Sequence, residues 1–370
     1  MCASLLFLTG CATSNSTNSS TSASVEASSE SLDQGSSVSE DVKDPNKKIS
    51  IVTTIFPEYD WVREIVGNHA DKFEITYLMN KGVDLHSYQA SAEDIAKVSS
   101  ADLFIYVGGE SDTWAEDAIA EATNKEMKVI NLLNSLGSDV KEEEVVEGME
   151  AEDEHDHDHS EEAKDHDHAD EAKEHDHDHD HDHAKEGEEV EYDEHVWLSL
   201  KNAQKLVVDI EANIESLDPD NAADYAANAD AYVKKLEELD KEYKKAVDES
   251  NLKYILVGDR FPFRYLVDDY GLKYSAAFVG CSAETEASFD TITFLSGKLD
   301  ELGLKNVVTI ENSDQKIAKT IIENTKNKDQ GLVVLNSLQS VSQKEIDGGL
   351  TYLSVMKDNL EVLKKALANQ

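Results

Sequence analysis

Ile49-Ser-Ile-Val-Thr-Thr-Ile55 is the stretch on which the fold turns. It is apolar, rich in β-branched residues and begins shortly after Asp44-Pro45, so it reads as the first buried strand of a sheet. Runs of the same kind recur at Phe73–Leu78, Leu103–Val107 and Val129–Leu132. Between them lie helix-period stretches at Glu58–Val66, Ala92–Ser99 and Thr113–Ala122. Strands that alternate with helices predict βα units around a mostly parallel sheet.

Downstream the rhythm stops. Residues 137–191 have no apolar period and no aromatic residue, and are expected to form a disordered loop. Order resumes at Tyr192-Asp-Glu-His-Val-Trp197, ahead of a helix over Leu200–Leu217. Asp218-Pro219-Asp220 then opens a second helix, with proline suited to its first turn. Along it Tyr225, Ala229, Tyr232, Leu236 and Leu239 recur at three and four. Roughly 30 residues of helix span on the order of 45 Å, enough to bridge two lobes. Beyond it the α/β alternation returns. Strands are expected at Tyr254–Val257, Tyr274–Phe278, Val307–Ile310 and Leu332–Leu335, and helices at Glu284–Leu302, Asp314–Asn324 and Lys344–Ala368. The predicted fold class is α/β, with two lobes of mostly parallel sheet joined by a long rigid helix. The boundaries are an N-terminal lobe at 48–217, a linking helix at 218–250 and a C-terminal lobe at 251–370.

Upstream of Ile49, residues 12–47 are rich in Ser, Thr, Asn and Glu and read as a flexible tether. Before them, a short apolar run ends in Leu8-Thr-Gly-Cys11, which resembles the lipobox of bacterial lipoproteins. No Lys or Arg precedes that run, and it is shorter than the usual hydrophobic region. On this reading residues 1–11 are a signal segment, Cys11 is lipidated, and the chain is a monomer held to the outer face of the cell membrane. The other cysteines are Cys2 and Cys281, so the body of the chain cannot form an internal disulfide. With 34 Lys plus Arg against 78 Asp plus Glu, the net charge of −44 excludes nucleic acid as a partner and favours cations.

Histidine carries the chemical signal. Ten of the 13 histidines alternate with acidic residues inside the loop: His155, His157, His159, His166, His168, His175, His177, His179, His181 and His183. Imidazole suits borderline divalent ions, and a flexible chain can wrap several of these rings around one, so the tract is expected to collect metal. Three histidines remain. His69 follows Gly67-Asn68 in a polar turn and is expected to face solvent. His86 and His195 each lie in a loop leading into a helix, where ligands of open α/β sheets gather. They are the expected metal ligands.

Several motifs together resemble the zinc/manganese solute-binding proteins of ABC importers, in the branch with a His-rich loop. They are Gly82-Val-Asp-Leu-His86-Ser-Tyr88, Ala101-Asp-Leu-Phe-Ile-Tyr-Val-Gly-Gly109 with Trp114, Asp193-Glu-His195-Val-Trp197, Phe263-Arg-Tyr265 with Tyr270-Gly-Leu272, and Tyr352, Met356 and Asn359 near the C-terminus. The resemblance implies a cleft site holding Zn²⁺, with Mn²⁺ as the alternative, and an ABC permease as partner. It implies no enzymatic activity. The sequence departs from the family at two ligand positions, which fall on Arg260 and Asn336. A guanidinium cannot bind a cation. Asp259, one residue away, is the favoured replacement, against a plain ion pair with Arg260; Glu311, Cys281 and Glu284 are the others considered. Two rival readings are an extracellular zinc buffer or adhesin without a transport role, and a metallohydrolase. The hydrolase lacks support from any His-Glu-x-x-His helix or Gly-x-Ser-x-Gly elbow.

Overall fold

The computed structural model describes residues 47–150, 191–282 and 286–368. Cys11, the tether up to residue 46, the ten loop histidines and Glu284 lie outside the described residues.

The first half is built from β1 (Ile49–Thr53), α1 (Phe56–Val66), β2 (Phe73–Tyr77), α2 (Ala92–Ser100), β3 (Leu103–Tyr106), α3 (Thr113–Ala120), β4 (Lys128–Asn131) and α4 (Leu132–Leu136). After α5 (Leu200–Leu217) and α6 (Ala222–Glu249), the second half runs β5 (Tyr254–Phe261), α7 (Arg264–Tyr270), β6 (Lys273–Val279), α8 (Phe289–Leu302), β7 (Asn306–Ile310), α9 (Lys316–Glu323), β8 (Gly331–Leu335), α10 (Gln343–Asp347) and α11 (Tyr352–Leu367). Each half holds one four-stranded, all-parallel sheet, in the orders β2-β1-β3-β4 and β6-β5-β7-β8. The order reverses beside β1 and again beside β5, and such switch points open a crevice at the carboxyl ends of the strands.

The apolar positions read along α6 all face inward: Tyr225, Ala229, Tyr232, Leu236 and Leu239 are buried, with Tyr243 and Val247 continuing the stripe. The helix is tied to both halves. Asn228 Nδ2 donates to the Ile65 carbonyl of α1 at 2.9 Å, and the Tyr243 hydroxyl donates to the Met356 carbonyl of α11 at 2.6 Å.

Two expectations need correction. Residues 137–150 are structured rather than part of a loop without order. Glu143 N–H donates to Glu191 O at 3.0 Å, Asp193 N–H to Lys141 O at 2.9 Å, and Glu150 N–H to Ala277 O at 3.0 Å. These bonds satisfy a polar backbone that has no helix or sheet period of its own. The single C-terminal helix expected at Lys344–Ala368 is two helices. Gly349, with φ +94°, breaks it, and Thr351 caps α11 by accepting the Ser354 N–H.

Candidate metal centre

His86 lies in one 3-10 turn, Leu85–Ser87, on the connection after β2. Leu85 is buried beneath it, and Asp84 Oδ1 accepts the His86 N–H at 3.0 Å, which fixes the ring's direction. A similar turn, Val196–Leu198, follows His195 and leads into α5, whose first turn is capped by the Ser199 hydroxyl. His195 is fully buried. Asp193 Oδ1 accepts both its backbone N–H at 2.8 Å and its Nδ1–H at 3.0 Å.

Local anchoring turns the two rings towards each other. Their Nε2 atoms are 3.1 Å apart, although 109 residues separate them in sequence. Two nitrogens bound to one tetrahedral Zn²⁺ at about 2.0–2.1 Å stand roughly 3.3 Å apart. The other ring nitrogens are engaged elsewhere. His195 Nδ1 is on Asp193, while His86 Nδ1 is 2.8 Å from Ser111 Oγ and 3.6 Å from Glu194 Oε2. Metal-bound histidines are held in this way, one nitrogen free for the ion and the other giving its proton to a neighbour.

Burial first, and then the neighbouring His195, push His86 down to about 3. Burial opposes charge on His195 too, but Asp193 and then Glu194 outweigh it and lift that ring above its ordinary value. Of the two rings, His195 is therefore the one that holds an extra proton more readily, and it sits where a cation would bind. A metal competes with that proton as the pH falls. Zinc affinity is accordingly expected to be at least about tenfold lower at pH 5.5 than at pH 7.5. Competition with a chelating dye across that range checks this. Ring NMR of the zinc-free protein should show one of these two histidines titrating above the ordinary value and the other still neutral at pH 5.

The second half closes over the pair. Cys281 lies two residues past the end of β6, and its Sγ and the two imidazoles offer donor atoms that all lie within 4.8 Å of one another. This is the one group of three or more His, Cys, Asp or Glu donors brought together among the described residues. Gln339, after β8, was not singled out by the sequence. Its side-chain amide is 2.9 Å from His86 Nε2 and 2.7 Å from His195 Nε2. The preceding Leu338 is fully buried with φ +62°, a conformation costly for leucine that aims Gln339 inward.

The remaining sequence candidates are placed elsewhere. A register shift in β5 between Val257 and Arg260 redirects the strand end. Arg260 Nη2 consequently reaches Asp84 Oδ2 in the first half at 2.7 Å. Asp259 is outside the three-donor group. Its Oδ1 accepts the Arg260 backbone N–H at 3.0 Å, and its buried Oδ2 has no hydrogen-bond partner. Asp259, Asp84, Arg260 and Glu311 line a cavity of about 420 Å³. Glu311 accepts the Ser337 N–H and hydroxyl, both at 2.6 Å, and Asn336 Oδ1 accepts the Leu338 N–H at 2.8 Å. His69 is about a quarter exposed and contacts Asp224 Oδ2 at 2.8 Å.

Residues 51–366 match the family described as ZnuA, zinc-uptake complex component A, periplasmic. The chain belongs to this family. It is 31% identical over 326 residues to the zinc-binding protein AdcA of Streptococcus pyogenes, covering 86% of this chain and 56% of that protein. The chain thus spans about half the length of the AdcA relatives it matches. It is 32% identical over 332 residues to the high-affinity zinc uptake system protein ZnuA of Bacillus subtilis, covering 90% and 92%. Among solved structures, the Zn(II)-bound ZnuA-like domain of Streptococcus pneumoniae AdcA superposes with a TM-score of 0.62 at 27% identity, over 88% of this chain and 100% of that one. A laminin-binding adhesin of Streptococcus agalactiae, at 23% identity and a TM-score of 0.65 over 86% of this chain and 100% of that one, shares the fold.

Proposed function

We propose that this ZnuA-family protein is a high-affinity zinc receptor that takes the ion outside the cell and passes it to an ABC permease. One observation carries the reading: a buried and a half-buried imidazole converge to 3.1 Å with their second nitrogens already engaged. The relatives named for zinc binding and zinc uptake support zinc as the cargo. His86 and His195 are the proposed ligands. Anchoring through a lipid on Cys11 fits a receptor that must stay near its permease.

The His-rich tract is proposed as a collector. The described residues that flank it are anchored to the body, Glu150 through Ala277 and Glu191 through Glu143. A cavity of about 230 Å³ lined by His86, Glu143, Glu191, Glu194 and Cys281 lies at its return end. Carboxylates on that rim attract a cation towards the imidazoles.

Deleting residues 151–190 is expected to remove the weaker, multiple zinc equivalents and leave one tight site. Calorimetric titration of the full-length and loop-deleted proteins reads this directly. A loop-deleted protein that folds yet binds no zinc would show that the tract, rather than the His86–His195 pair, is the receptor site.

A further inference from the structure

We propose that Cys281 binds the cation as a thiolate, alongside Nε2 of His86 and His195 and the side-chain oxygen of Gln339. This deepens the receptor reading and rests on it. Cys281, neither paired in a disulfide nor fully exposed, is brought to two histidines by chain topology rather than by sequence proximity. A tetrahedral Zn²⁺ with N and S donors needs an N···S separation of roughly 3.5 Å, so a shift of about 1 Å in the loop after β6 completes the bonds.

The backbone is shaped for that approach. A Cβ on Gly280 would lie 3.0 Å from His195 Cε1 and 2.9 Å from the Phe261 carbonyl, so glycine lets the chain carry its next residue against the ring. Glu194 independently points to a cation at this place. It is 2% exposed, and its Oε2 lacks a hydrogen-bond partner while lining the same cavity as His86 and Cys281. Burial and then the carboxylates of Glu143, Glu194 and Asp193 hold the Cys281 proton on in the free protein. A divalent ion reverses that local field and takes the proton's place on sulfur.

Gln339 supplies the fourth donor by hydrogen-bond arithmetic. The Ser337 hydroxyl has one proton, and Glu311 Oε1 accepts it at 2.6 Å. The structure sets Gln339 Oε1 3.0 Å from that hydroxyl and Nε2 towards both imidazoles. With the hydroxyl proton given to Glu311, a flip of the amide lets its NH₂ donate to Ser337 Oγ and presents the oxygen to the rings and to a cation. A His₂Cys site with an amide oxygen favours thiophilic ions such as Zn²⁺, Cd²⁺ and Cu⁺ over Mn²⁺.

Co²⁺ is the probe. The full chain is titrated with Co²⁺ beside Cys281→Ser, His86→Ala and a Cys2→Ser, Cys11→Ser double variant, each checked for folding by circular dichroism. The expected result is a near-ultraviolet thiolate-to-cobalt charge-transfer band in the wild type and the double variant. The band is lost in Cys281→Ser and His86→Ala. Cys281→Ser still binds Zn²⁺, at least about tenfold more weakly. In the double variant, Zn²⁺ should also shield Cys281 from a thiol-reactive dye and Mn²⁺ should not. Tight Co²⁺ binding at the buried site without the band, or unchanged zinc affinity in Cys281→Ser, overturns the thiolate assignment and leaves the receptor reading standing. A wild-type chain with no tight site for Zn²⁺ or Co²⁺ overturns both.

Discussion

Trp197→Ala is expected to destabilise the zinc-free protein by about 3–5 kcal/mol, enough to unfold much of it at physiological temperature. Trp197 is fully buried, so the change leaves a cavity the size of an indole. It also cuts a connection between the halves. Trp197 Nε1–H donates to the Ser337 carbonyl at 2.8 Å, a bond that alanine loses, while the Tyr352 hydroxyl donates to the Trp197 main-chain carbonyl at 2.6 Å, which alanine retains. Removing the indole orphans a carbonyl beside the turn that holds Gln339, an added cost of about 1–3 kcal/mol. Urea unfolding measures the sum. Trp197→Phe keeps most of the apolar volume and isolates the lost N–H, so it should fall between alanine and wild type. If alanine costs less than about 1 kcal/mol, the indole does not hold the halves together.

His195→Ala is expected to weaken zinc binding at the buried site by more than about a hundredfold, because loss of an outer partner alone reaches that range. The effect has a thermodynamic counterpart. At a free zinc concentration of 100 times Kd, the wild type gains about 2.7 kcal/mol of stability from mass action. The variant gains almost none. Thermal melts of loop-deleted protein with and without zinc separate this from binding to the histidine tract. A variant whose melting temperature still rises with stoichiometric zinc would move the site away from His195.

Much of this architecture is written locally in the chain. The strands and α6 are legible because burial imposes a period of two or 3.6 on residues adjacent in sequence, as in Tyr225, Ala229, Tyr232, Leu236 and Leu239. Residues 137–150 were not legible. Their order comes from partners at Glu191, Asp193 and Ala277, and nothing within the segment signals them. The break at Gly349 was readable in principle from Gly348-Gly349 followed by Thr351, a stop and a new cap.

The candidate site divides in the same way. His86 and His195 stood out because histidine is scarce outside the tract and both lie at loop-to-helix junctions. Gln339 offers no such signal, since an amide carries neither charge nor a metal-ligand motif. Its role depends on a left-handed Leu338 that sequence does not announce. Asp259 was favoured on linear proximity to Arg260; the register shift in β5 sends the guanidinium across to Asp84, so the two do not pair, and Asp259 lies outside the group formed by His86, His195 and Cys281.

The continuous helix α6, bolted at one end to Ile65 and at the other to Met356, sets how cargo can come and go. A strut fixed to both sheets does not let them gape like a clam. On the proposed site, entry and exit fall to the short segments that bear His86, Cys281 and Gln339, which would move individually. A docking partner would therefore read whether the receptor is loaded from the shape of those few loops and not from the outline of the whole molecule.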